Sequence, residues 1–192
     1  MIKKLKHFWT EERSLTTLLA LLVINLFVLV PMIQEGVGTT PMKDTFFSLL
    51  LLAGLLTMTG QKTLQVGFFL FVALTIIVHW ARIAFGTAWL SGWDALLSML
   101  SLCAFTMVVL WQVNKKGPVT GHRVRGAVAG YLLLGLSCAY AYALIDILIP
   151  GAFQMPAADL QSRKAQSDAF LYFSIVTLTT LGYGDITAVH PV

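Results

Sequence analysis

Nine residues near the end of the chain, Thr177-Leu178-Thr179-Thr180-Leu181-Gly182-Tyr183-Gly184-Asp185, combine three threonines, two glycines at alternate positions, a tyrosine and a carboxylate. The chemistry open to such a segment is that of its backbone. Glycine takes φ > 0 without steric cost, so Gly182 and Gly184 allow the chain to alternate between left- and right-handed conformations. That alternation turns successive carbonyls to one side. The carbonyls of Thr180, Leu181, Gly182 and Tyr183, with the Thr180 hydroxyl at the inner end, would then form a ladder of oxygens able to replace the water lost by a dehydrated cation. Elsewhere there is no His/Glu/Asp cluster, Ser–His pair or phosphate-cradling loop, so an enzyme is the remote reading.

A Gly-Tyr-Gly by itself is common in loops, so the elements that present it carry weight. Directly before it, Asp168–Thr179 is an apolar stretch that would make about 18 Å of helix at 1.5 Å per residue, too short to cross a bilayer. Ser167 or Asp168 can cap its start. A short apolar helix entered and left from one side reads as re-entrant. Irregular backbone at membrane depth is tolerated only where protein shields it or where it lines a watery path. Residues 180–185 are therefore expected to line something polar.

The rest of the chain has the composition of a membrane protein. Of 192 residues, 57% are hydrophobic and 11% charged, and the mean hydropathy is +0.80. A soluble domain of this size needs more charge to cover its surface. Five apolar blocks are long enough to span, or nearly so: 14–33, 45–59, 64–84, 95–113 and 126–149, the second being short. The basic residues lie between blocks, at Lys3, Lys4, Lys6 and Arg13 and again at Lys115, Lys116, Arg123 and Arg125. Both groups are expected on the cytoplasmic side of the cell membrane, with an even number of crossings between them. The net charge of +4 thus reports orientation, not nucleic-acid binding. The first block is too long for a signal-peptide core and lacks a cleavage site, so it is read as a retained span. Cys103 and Cys138 sit in separate blocks and are read as packing residues.

The nine-residue segment resembles the potassium-channel signature T-x-x-T-x-G-Y-G-D at every defined position, with Leu181 where Val or Ile is common. The likeness in layout runs from Gly126 to Val192. It implies an all-α membrane protein with five transmembrane helices plus a pore helix and a selectivity-filter loop. The parts would be a cytoplasmic N-terminus (1–13), a four-span domain (14–113), a basic linker (114–125) and a pore domain (126–192). The pore domain would comprise an outer helix at 126–149, a turret at 150–167, a pore helix at 168–179 and the filter at 180–185. It implies a potassium-selective subunit of a homotetramer, with potassium as the permeant ion, no cofactor, and the lipid bilayer and identical subunits as partners. Thr180, Leu181, Gly182, Tyr183 and Gly184 would bind the ion, supported by Thr177, Thr179, Asp185, Tyr172 and Phe173. In the family two tryptophans cuff the filter tyrosine and aspartate; here Tyr172 and Phe173 stand in their places. Tyr172 is expected to donate a hydrogen bond to Asp185, and Phe173 to pack against Tyr183.

Two departures shape the expectations further. The family's inner helix would follow the filter, and the chain given ends at Val192, so a truncated record or a non-conducting accessory subunit is the alternative. A transporter with four degenerate loops in one chain is disfavoured by the single intact loop. The block 95–113 holds no Arg, Lys, Asp or Glu, so the four-span domain is read as lacking gating charges. His79 and Arg82, beside Trp80, are expected to reach the outer interface, with proton sensing as the lesser reading. Asp146 is expected to meet headgroup water. The small residues Gly126, Gly130, Gly135, Ala139 and Ala143 are expected to face the inner helix.

Overall fold

The computed structural model describes residues 15–34, 40–56, 62–114, 120–156 and 163–189. The N-terminal segment 1–13, Lys115 to Pro118 of the linker, residues 157–162 of the turret and residues 190–192 lie outside them. Six helices follow in order. The first, α1, covers residues 15–34 and includes a π-helical turn at Ile24–Leu29 that buries Asn25. Then come α2 at Thr40–Leu56, α3 at Lys62–Phe85, α4 at Ala88–Val113, α5 at Gly121–Leu148 and α6 at Arg163–Leu178. Two short strands, β1 (Phe153–Gln154) and β2 (Thr187–Ala188), pair antiparallel with Phe153 opposite Ala188 and Gln154 opposite Thr187.

Among the described residues, four stretches are long and apolar enough to cross a membrane: Leu15–Met32, Val66–Phe85, Trp89–Val113 and Gly121–Leu148. Of the fifth expected span, at 45–59, residues 45–56 lie in α2, and 57–59 lie outside the described residues. The other boundaries also move. α4 starts at Ala88, so the expected loop at 85–94 shrinks to Gly86 and Thr87. Gly86 makes that short turn possible: at φ +62 it closes α3 with a bond from its amide to the Arg82 carbonyl. α5 begins at Gly121, inside the expected linker, and α6 begins at Arg163, inside the expected turret.

The chain forms two compact units, one of residues up to Ile76 with Cys103–Leu133, the other of Ile77–Leu102 with Leu134–Val192. All three divisions fall within helices, in α3, α4 and α5. In the first unit glycines set the close approaches. A Cβ added at Gly54 would come within 2.7 Å of the Phe105 ring, and one at Gly126 within 2.8 Å of Val113 Cγ2. Gly130 faces Leu110. Gly126 and Gly130 therefore let α5 approach α4 closely. Arg123 donates from Nε and Nη2 to the Val113 carbonyl, satisfying the end of α4, and Arg125 donates to Thr16 Oγ1 at 2.7 Å.

The second unit holds a buried polar cluster near the α3–α4 turn. His79 Nδ1 lies 2.9 Å from Asp94 Oδ1, and Arg82 Nε lies 2.7 Å from Asp94 Oδ2. His79 is 3% and Asp94 5% exposed, so the expectation that His79 and Arg82 run out to the interface is corrected. Helix α4 reaches back far enough to bring Asp94 opposite α3, and a buried charge requires a partner. Trp80, by contrast, stays exposed. Asp146 accepts a hydrogen bond from Gln166 at 2.9 Å.

Candidate functional site

The segment 180–185 is positioned by three things: the end of α6, the face of α5 and the strand pair. α6 ends in a tight left-handed turn. The Leu181 amide bonds the Val176 carbonyl and the Thr180 amide bonds the Thr177 carbonyl, each at 3.0 Å, with Thr180 at φ +59. This bonding pattern is that of a Schellman cap, whose left-handed position is normally glycine. A β-branched residue there is a conformational outlier. Such strain costs about 1–3 kcal/mol and persists only where the surroundings hold it.

Beyond the cap, Gly182 has φ +56 and Gly184 has φ +76, while Leu181 and Tyr183 between them keep negative φ. The sign of φ thus alternates from Thr180 to Gly184. Residues 180–185 are all exposed on the single chain, and Tyr183 is 66% exposed. The hydroxyls of Thr177 and Thr179 turn back to their own helix, bonding the Phe173 carbonyl at 2.8 Å and the Ile175 carbonyl at 2.7 Å.

Tyr172 donates its hydroxyl to Asp185 Oδ2 at 2.7 Å, joining α6 to the residue that follows the glycines. The bond to that carboxylate, then the loss of solvent and the carboxylate's charge, push the phenol up to about 12. The neutral donor is favoured, so the contribution of this bond is complete below the ordinary tyrosine value and is lost only as pH rises through about 12. Asp185 also accepts from the Ile186 amide at 3.1 Å.

The Phe173 ring meets Tyr142 of α5 at 5.0 Å and Phe153 of β1 at 6.0 Å. Successive helix residues diverge by about 100°, so Tyr172 and Phe173 face different neighbours. Phe153 and Phe170 form an edge-on pair at 5.2 Å, and Ala152, Met155, Ala169 and Ile186 complete this buried core. It holds the chain on both sides of the segment, since Phe153 precedes α6 and Ile186 follows Asp185. Sequence reasoning missed Phe153 and Ile186. An aromatic residue within a loop of small and polar residues is the signal that pointed to the first.

Compared with known families, residues 159–192 match a family model described as "Ion channel". Neither curated proteins nor solved structures gave a match. The matched residues take in α6, the alternating segment and β2. With the long apolar helices they indicate a membrane protein, and the match supports an ion channel rather than an enzyme.

Proposed function

We propose that the chain is a subunit of a potassium-selective channel in the cell membrane, with its N-terminus cytoplasmic. Four copies would surround one path, and dehydrated potassium would pass through rings of carbonyls from Thr180, Leu181, Gly182 and Tyr183. The observation that carries this reading is the positive φ at Thr180, Gly182 and Gly184 with Leu181 and Tyr183 between them at negative φ, an alternation that lets successive carbonyls turn to one side. α6 has 16 residues, fewer than a span needs, and so serves as the re-entrant pore helix. Its C-terminal end carries a partial negative charge suited to a cation. The test is the reversal potential of the protein in lipid bilayers with potassium on one side and sodium on the other. A large shift favouring potassium is expected; equal permeability would overturn the filter.

In this reading the Tyr172–Asp185 bond braces the filter mouth. Tyr172→Phe removes the donor and keeps the ring. It is expected to speed the decline of current during maintained opening several-fold, with permeability to potassium retained. Because the phenol ionises only near 12, raising the pH into the ordinary range of tyrosine ionisation leaves most of the brace in the wild type. A decline of equal rate in Tyr172→Phe and wild type would remove the brace from the mechanism.

A further inference from the structure

Ser174 behaves differently from the threonine hydroxyls that follow it. Thr177 and Thr179 bond carbonyls of α6 itself, but Ser174 donates across to the Gly135 carbonyl of α5 at 2.6 Å. Ser174 is fully buried. The acceptor lies in the middle of α5, where a side chain would keep a neighbouring helix away. Gly135 has none: a Cβ there would come within 3.1 Å of Leu178 Cδ1 and 3.9 Å of Ser174 Oγ. The same glycine therefore takes the hydroxyl of Ser174 and the side chain of Leu178, one turn apart on α6. Small residues permit such close approach between helices in lipid, and a hydroxyl can fasten it. Leu178 is the last residue of α6, and the strained Thr180 follows two residues later.

We infer that Gly135 and Ser174 are positioning residues for ion selection: together they seat the pore helix on α5 and fix the height at which the carbonyl ladder begins. The inference rests on the potassium-channel reading. It assigns Gly135 to α6 rather than to the inner helix that its place on a small-residue face suggested. A hydrogen bond of this kind sets distance as well as strength. Its loss lets α6 slide or tilt on α5, and the first ring of oxygens moves with it. The neighbouring hydroxyls cannot compensate, because they are already committed to carbonyls of α6.

The test reads the potassium-to-sodium permeability ratio, which does not depend on how many channels reach the membrane. Ser174→Ala removes the donor and is expected to lower the ratio at least tenfold. Ser174→Cys keeps the size and a weak S–H donor, and is expected to recover part of it. Gly135→Val pushes Leu178 aside and should lower the ratio similarly, while Gly135→Val combined with Leu178→Ala returns space and restores it in part. Where Ser174→Ala yields no folded channel, Ser174→Cys and the Gly135→Val/Leu178→Ala pair carry the test. Variants that reduce the current only in proportion to the protein present, with the ratio unchanged, overturn the inference while the filter reading stands. A wild-type protein that passes both ions equally overturns the two together.

Discussion

Gly182→Ser is expected to remove potassium selectivity, and in many molecules to prevent assembly. Gly182 sits at φ +56, and a Cβ added there meets nothing within 4 Å on the single chain. The cost is therefore conformational. An L-residue in the left-handed region costs roughly 1–2 kcal/mol. In the proposed tetramer that cost is repeated in each subunit, reaching about 4–8 kcal/mol. The segment already carries one outlier at Thr180, only two residues away. A second one favours relaxation to ordinary negative φ, which turns a carbonyl out of the ladder. Reversal potentials and the yield of oligomer in detergent read the two consequences separately. A serine variant with wild-type selectivity and yield would mean that the alternation is not what discriminates ions.

Asp94→Ala is the substitution with the largest expected effect on folding. Asp94 holds both His79 and Arg82, and its side chain is almost wholly enclosed. Removing one partner of a buried pair typically costs about 3–5 kcal/mol, because the other charge is left uncompensated. The Arg82 side chain keeps 31% of its exposure, which lets it reach polar surroundings and places the expected loss near the lower end of that range. Asp94→Leu combined with Arg82→Leu leaves no orphaned charge, and is expected to recover most of the stability. Thermal unfolding in detergent checks both variants. If the double variant is as unstable as Asp94→Ala, Asp94 contributes through something other than charge pairing.

The alternating backbone of residues 180–184 was legible in the sequence because its constraint is local. Glycine at alternate positions is dictated by the backbone state itself, so Gly182 and Gly184 announce it. Thr180 shares that state and gives no sign, since a β-branched residue is a poor candidate for φ > 0. Its conformation is imposed by the Val176 and Thr177 carbonyls behind it. The Tyr172–Asp185 contact was readable from donor chemistry at a position of known layout. The orientation of Phe173 was not, because it depends on Tyr142 and on Phe153, each brought near by tertiary folding. Hydropathy failed at Asp94 for a related reason. A block read from apolar residues stops at the first charge, so the fourth was begun at Ala95, one residue after a carboxylate that the fold neutralises from α3. The partners of Gly126, Gly130 and Gly135 were equally hidden, since a small residue specifies closeness without specifying to what.

The pairing of β1 with β2 changes how freely residues 180–185 can fluctuate. Phe153 and Gln154 lie before α6, and Thr187 and Ala188 lie after Asp185, so their bonds tie the two ends of that stretch into a ring. The Val189 amide, bonded to the Ala152 carbonyl at 3.0 Å, extends the knot by one rung. A segment hanging from one helix end samples positions along its own axis; a segment inside a ring has far fewer. Closure of such a ring depends only weakly on its contour length, each doubling costing about 0.6 kcal/mol. The length of the connection ahead of α6 can therefore drift at little cost, whereas the phase of the two-residue ladder cannot. A slip by one residue would turn Phe153 and Ala188 to opposite faces, and with Phe153 would go the aromatic core shared with Ile186, the residue after Asp185.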